Sequence, residues 1–232
     1  MREDLVLLED NTYGVFRAAG AELPTLKSLD TGRRVIYLSS FAKSVFPGAR
    51  VGFLVADQDV VGHEGRRRSF AEELAKLKSM FTVNTGAVAQ ALVGGALIAS
   101  GHSLRAANRE AAQVYREKLD TITASLAEHF PPDRIRDHGV RWTRPDGGFF
   151  VLLRVPFPTD LAAAERSARD YGVCWAPVNP RHTRTADGGL IKLGFASLAV
   201  ENIREGIGRL SRFAHETPPQ REEPVDRDYA AS

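Results

Sequence analysis

Short unbroken apolar runs open the chain. Leu5-Val6-Leu7-Leu8, Val35-Ile36-Tyr37-Leu38 and Val51-Gly52-Phe53-Leu54-Val55 are continuous rather than alternating, the pattern of strands buried on both faces. Three buried strands are therefore predicted within the first 55 residues. The period then lengthens. From Arg66 to Phe81 the apolar positions Phe70, Leu74, Leu77 and Phe81 recur at helical spacing, and the same spacing runs from Ala87 to Phe130 with a break near Gly101-His102. After Pro131-Pro132 the pattern shortens again. Val140-Arg141-Trp142, Phe149-Phe150-Val151-Leu152-Leu153 and Ile191-Lys192-Leu193-Gly194-Phe195 read as strands, an Ala-rich segment from Asp160 to Tyr171 as a helix, and Val200 to Phe213 as an amphipathic last helix.

Strands, a helical bridge and then an α+β unit argue for two lobes of an α/β protein. The first lobe is predicted over 1–100 and a smaller C-terminal lobe over 101–215. The tail over 216–232 carries Pro218-Pro219, Pro224 and a high charge density, too little apolar material to pack, and is predicted to be disordered. No internal repeat interrupts this order.

Composition narrows the class. With 232 residues, 43% of them hydrophobic, the chain can bury one sizeable core or two modest ones. The 31 basic and 29 acidic side chains leave a formal charge of +2, and apart from Arg66-Arg67-Arg68 the cations are scattered, so nothing calls for nucleic acid. The start lacks the charged-then-apolar pattern of a signal peptide, and no apolar run approaches the ~20 residues that span a bilayer. The stretch from Ala87 to Ala99 is shorter, is broken by Gln90, Gly94 and Gly95, and reads as a buried helix. The single cysteine, Cys174, lies in the apolar setting Tyr171-Gly172-Val173-Cys174-Trp175; a buried packing role and a reducing, cytoplasmic compartment are expected.

The chemistry concentrates after the second strand, in Ser39-Ser40-Phe41-Ala42-Lys43-Ser44-Val45-Phe46-Pro47-Gly48-Ala49-Arg50-Val51-Gly52. An amine at a strand's end beside a phosphate-binding cation suits an aldehyde cofactor. Ser40, Lys43, Pro47, Gly48, Arg50 and Gly52 resemble the class I/II aminotransferase signature, serine-x-x-lysine followed by proline-glycine-x-arginine-x-glycine. Upstream, Asp10 and Tyr13 in Glu9-Asp10-Asn11-Thr12-Tyr13 resemble that family's aspartate-x-x-tyrosine, and Pro145-Asp146-Gly147-Gly148-Phe149-Phe150 its proline-x-glycine-glycine-x-phenylalanine. Each motif alone has a structural reading: a solvated loop lysine, a capped turn with a packed aromatic, a glycine bulge.

The resemblance implies a fold-type-I fold, in which part of a mainly parallel sheet with helices is followed by a small α+β domain, and pyridoxal 5′-phosphate as cofactor. Lys43 becomes the Schiff-base lysine, which also moves the proton between the amino acid's α-carbon and C4′. Asp10 pairs with the pyridine nitrogen, Tyr13 bonds the 3′ oxygen, and Ser40 and Arg50 hold the phosphate. The implied reaction moves an amino group from an amino acid to a 2-oxo acid, with the flavour of the aminoadipate, kynurenine and aromatic enzymes. Other chemistry of the same cofactor (elimination, decarboxylation, cyclisation) and a non-catalytic binding module are the alternatives. Where the family has arginine in arginine-leucine-x-phenylalanine, this chain has Lys192-Leu193-Gly194-Phe195, and Lys192 is the candidate substrate anchor. The resemblance covers about residues 2 to 213 and corresponds to the C-terminal part of the family pattern. The expected partner is a second copy in a homodimer, or a chain that supplies the absent N-terminal half.

Overall fold

The computed structural model describes residues 5–17, 23–62, 65–134, 139–178 and 189–219, which fall into two compact units, 1–113 and 114–232. The division lies inside the long helix Arg109–His129, C-terminal to the break at Gly101 where the sequence pattern suggests it.

The first unit is built on a three-stranded sheet, β1 (Leu7–Asp10), β2 (Val35–Ser40) and β3 (Gly52–Val55), in the order β1-β2-β3. β1 runs parallel to β2, with Asp10 opposite Leu38, and β3 runs antiparallel to β2, with Gly52 opposite Ser40. The strands exist as the apolar runs foretell, but they are only partly buried. Val35 and Ile36 are enclosed, whereas Leu7, Leu8, Phe53, Leu54 and Val55 are exposed, because nothing among the described residues covers those faces. The short helix α1 (Leu26–Leu29) precedes β2, and the Glu9 carboxylate accepts the backbone N–H groups of Leu26 and Lys27 at its start.

A hairpin that the helical period concealed follows: β4 (Asp59–Val61) pairs antiparallel with β5 (Arg67–Ser69). The arginine run is therefore strand, and helix α2 (Phe70–Phe81) begins only where Ser69 caps it by accepting the Glu72 N–H. Helices α3 (Ala87–Ala99), α4 (Leu104–Ala107) and α5 (Arg109–His129) come next. α3 is apolar nearly all round, yet Val93 alone of its side chains is buried; Val88, Leu92 and Ile98 face outwards. The expectation of a buried helix fails for the same reason as in the strands.

The second unit is a four-stranded antiparallel sheet in the order β6-β7-β9-β8: β6 (Arg141–Trp142), β7 (Phe150–Val155), β8 (Ala176–Pro177) and β9 (Gly189–Gly194). Its buried face packs with α5 and the helices α6 (Leu161–Tyr171) and α7 (Val200–Glu216) around Leu126, Val151, Leu153, Ile191, Leu210 and Phe213. Four phenylalanines, Phe130, Phe157, Phe195 and Phe213, are 0–1% exposed, and each contributes roughly 1.5–3 kcal/mol by that burial. Asp160 caps α6 by accepting the Ala163 N–H at 2.8 Å, and Gly172 ends it in the left-handed conformation at φ 69°.

Two further expectations are corrected here. Cys174 is exposed, because it lies in an extended segment where Val173 and Trp175, its neighbours on either side, take the inward positions. The start of the expected disordered tail belongs to the fold: Glu216 closes α7 and the buried Thr217 hydroxyl donates to the Phe213 carbonyl at 2.6 Å. Residues 220–232 lie outside the described residues. Among the described residues no helix is long and apolar enough to cross a membrane, and no cluster of side chains could hold a metal ion.

Candidate active site

Strand direction determines which residues share an edge of the first sheet. Because β1 and β2 are parallel, the segments that leave their C-terminal ends, carrying Asp10 and Tyr13 in one case and Ser40 and Lys43 in the other, emerge on the same side. β3 is antiparallel to β2, so the segment that enters it, carrying Arg50, meets that edge as well. The region beyond the carboxyl ends of parallel strands is the usual ligand-binding edge of an open α/β sheet.

The segments are tied together by short hydrogen bonds. The Asn11 N–H donates to the Leu38 carbonyl at 2.9 Å, and the Ser39 hydroxyl donates to the Asn11 carbonyl at 3.2 Å. Oδ1 of Asp10 accepts both the N–H and the hydroxyl of Thr12, at 3.3 and 2.7 Å. That turn fixes the carboxylate and leaves Oδ2 without a hydrogen bond among the described residues. Tyr13, half-buried, precedes a 3-10 turn over Gly14–Phe16, in which the Phe16 N–H donates to the Tyr13 carbonyl at 3.0 Å.

The lysine loop is a chain of turns. The Ser40 hydroxyl accepts the Ala42 N–H at 3.1 Å and donates to the Val51 carbonyl at 3.4 Å, a long bond that rotation of the hydroxyl breaks at little cost. The Phe41 carbonyl accepts the N–H groups of Val45 and Phe46 at 2.9 and 3.1 Å. Beneath the loop, Ala49, Val51 and Val93 form a small apolar cluster with Phe41, Val45, Ala89 and Leu97, so α3 is its floor. Lys43 itself is exposed, and its ammonium has no hydrogen bond or ion pair among the described residues. A Cβ at Gly48 would stand 2.6 Å from the tip of the exposed Phe46 ring, which would have to turn aside. Arg50 adopts the left-handed conformation, φ 52° and ψ 35°, and spends one N–H on the Pro47 carbonyl at 3.3 Å. Its other donors have no partner among the described residues.

An amine, a carboxylate, a phenol, a hydroxyl and a guanidinium are thus presented at one sheet edge, with the amine, Oδ2 of Asp10 and most of the guanidinium unengaged among the described residues. This donor set fits an anionic, aldehyde-bearing ring with a basic nitrogen. Residues 1–210 match the family model for aminotransferase class I and II. The chain belongs to the class I and II aminotransferases. It is 40% identical over 210 residues to the (S)-3,5-dihydroxyphenylglycine transaminase of Amycolatopsis orientalis, covering 89% of this chain and 45% of that one. Its structure resembles the kynurenine aminotransferase of Pyrococcus horikoshii with a TM-score of 0.75 at 28% identity, covering 92% and 48% of the two chains. It also resembles LysN, the α-aminoadipate aminotransferase of Thermus thermophilus, with a TM-score of 0.71 at 31% identity, covering 91% and 50%. The chain spans about half the length of the curated relatives it matches. Pyridoxal 5′-phosphate is the cofactor that goes with this aminotransferase family, and the open valences at the sheet edge agree with it.

Lys192 belongs to the second unit, exposed on β9, its ammonium 4.7 Å from the centroid of the Phe150 ring on β7. That contact is a cation–π interaction and keeps the charge on the outer face of the sheet. Sequence reasoning missed the polar residues that hold the lysine loop, above all Asn108, whose partner is 64 residues away in sequence. No local pattern marks such a contact.

Proposed function

We propose that this chain carries the lysine-bearing part of a pyridoxal 5′-phosphate-dependent aminotransferase that moves an amino group from an amino acid to a 2-oxo acid. The observation that carries the reading is Lys43, an ammonium without a partner among the described residues, on a pinned loop at the edge where Asp10, Tyr13, Ser40 and Arg50 also lie. When bound, the cofactor supplies an electron sink for the electrons left at the α-carbon. Lys43 would hold it through its amine and, when released, take and return the proton at the α-carbon. Asp10, steadied by Thr12 at Oδ1, would offer Oδ2 to the ring nitrogen and keep it protonated. Tyr13 would donate its phenol O–H to the ring oxygen. Arg50 offers a planar fork, and Ser40 a hydroxyl, to the phosphate.

Lys192 is the proposed anchor for the substrate's carboxylate; as a point charge it attracts without the two-pronged alignment of an arginine. The likeness to enzymes named for dihydroxyphenylglycine and kynurenine supports an aromatic or otherwise bulky amino acid as substrate. We further propose a homodimer, which the exposed apolar side chains of α3 favour, and a cytoplasmic location, which suits a free, exposed thiol at Cys174.

The test is the visible absorption of the purified chain titrated with pyridoxal 5′-phosphate, beside Lys43→Ala. A band present in the native chain and lost in the variant, with a phosphopyridoxyl group on Lys43 after borohydride reduction, supports the reading. Absence of the band in the native chain sinks the proposal that this chain binds the cofactor by itself. Consumption of a 2-oxo acid distinguishes transamination from elimination, decarboxylation or cyclisation.

A further inference from the structure

We propose that Asn108 is a positioning residue for Lys43, acting through the backbone of Ser44; the inference rests on the assignment of Lys43 as the cofactor lysine. The Asn108 Nδ2 donates to the Ser44 carbonyl at 2.8 Å, and both residues are 8% exposed. This bond is the third point at which the loop is held. Ser40 fixes the residue before Lys43 through the Ala42 N–H, and Phe41 fixes the residues after it through Val45 and Phe46. Asn108 adds a hold on the carbonyl of the Ser44–Val45 peptide, whose N–H is the one Phe41 engages, so the peptide unit one residue beyond Lys43 is held at both its donor and its acceptor.

The Ser44 side chain does not substitute for that restraint, since its hydroxyl is buried with no hydrogen-bond partner among the described residues. The clamp is itself rigid. Asn108 donates from its side chain to the Leu104 carbonyl at 2.8 Å and from its backbone to the same carbonyl at 3.0 Å, and its own carbonyl accepts the Ala112 N–H at 2.8 Å. It thus sits where α4 ends and α5 begins, locked into both helices. A carboxamide does not titrate, so the hold on the loop is independent of pH. An exposed lysine side chain is mobile, and fixing its backbone is what limits where its amine can go; displacements on the order of 1 Å are enough to impair a reacting group.

The experiment uses the full chain as native protein, Asn108→Leu, which approximates the volume without the donor, and Asn108→Gln, which keeps an amide donor. Pyridoxal 5′-phosphate is the probe. Three readouts are taken: affinity from the visible band with borohydride trapping at Lys43, the pH midpoint of that band, and amide hydrogen exchange. In Asn108→Leu the affinity at Lys43 falls by roughly tenfold, because a loop no longer held at Ser44 keeps the amine in reach for only a fraction of the time. The pH midpoint moves, and the Val45 and Phe46 amides exchange faster while those of Val151 and Ile191 do not change. Asn108→Gln recovers most of the affinity and the native midpoint.

Native affinity and midpoint in Asn108→Leu overturn the proposal. So do equal losses in the Leu and Gln variants, or loss of protection throughout residues 5–113, which would mark a general structural role. If the native chain forms no adduct at Lys43 while exchange of Val45 and Phe46 still depends on Asn108, the cofactor assignment fails and takes the positioning role with it. If the adduct forms and exchange does not depend on Asn108, only the positioning role fails.

Discussion

Arg50 combines a backbone cost with unengaged charge. A non-glycine residue at φ 52° is held in a sparsely populated conformation, at a cost of about 1 kcal/mol, and such strain persists where the surrounding structure demands it. Arg50→Gly relieves the strain and removes the cation. The expected outcome is a chain more stable by about 0.5–1 kcal/mol in denaturant titration, with at least about tenfold weaker pyridoxal 5′-phosphate binding by absorbance. Arg50→Lys, which keeps charge but not the fork, should fall between the two in affinity. At Lys192 the converse substitution is informative. Lys192→Arg should lower KM for the amino acid several-fold, to about 3–10-fold below native, with kcat little changed if the carboxylate is bound there; Lys192→Ala leaving every KM unchanged would refute the anchor.

At the scale of elements, turn chemistry is carried by carboxylates. Asp30, between α1 and β2, accepts the N–H groups of Gly32, Arg34 and Val35 at 3.0, 2.7 and 2.7 Å. These bonds, that from Val35 foremost, hold its carboxyl below the ordinary aspartate range, with the nearby Lys27 ammonium acting in the same direction. A depressed folded-state value means that the ionised form stabilises the fold. The contribution is fully present above the unfolded value of about pH 4 and is lost as the pH falls through the lower, folded value. Asp30→Asn should therefore reduce stability at pH 7, and the gap to the native chain should narrow as the pH drops below about 4. A gap that stays constant between neutral and acid pH would assign the effect to packing. The hairpin β4–β5 and the capped helix α2 show the same dependence on single residues, since Ser69 both ends a strand and caps a helix.

At the scale of the whole molecule the two units differ in how far their apolar residues are enclosed. The second gathers one continuous core from α5, α6, α7, β7 and β9, whereas Met80, Phe81, Val83 and Val88 in the first are 77–92% exposed. Amide exchange should therefore be slowest at Val151, Leu153 and Ile191 and markedly faster in β1 and β3. A dye that fluoresces on apolar surfaces should bind the isolated chain, and the signal should fall when a partner covers that surface. Equal protection in both sheets would contradict the difference in enclosure.

The sequence by itself determined most of the elements, though not the hairpin β4–β5, together with the order of the units and the residue types of the candidate site. Apolar period and capping chemistry are local, and the spacing of Ser40, Lys43 and Arg50 is a property of one short segment. It misjudged burial, because a run such as Leu5 to Leu8 records what a strand is suited to pack against and not whether anything does so. Cys174 went the same way, since the alternation of an extended segment outranks the apolar company it keeps in sequence. Only the tertiary structure decided that Asp10 and Lys43 share a sheet edge, which follows from parallel pairing of β1 with β2. It alone also showed that Asn108 holds the lysine loop at Ser44, since a hydrogen bond across 64 residues leaves no trace in any local pattern.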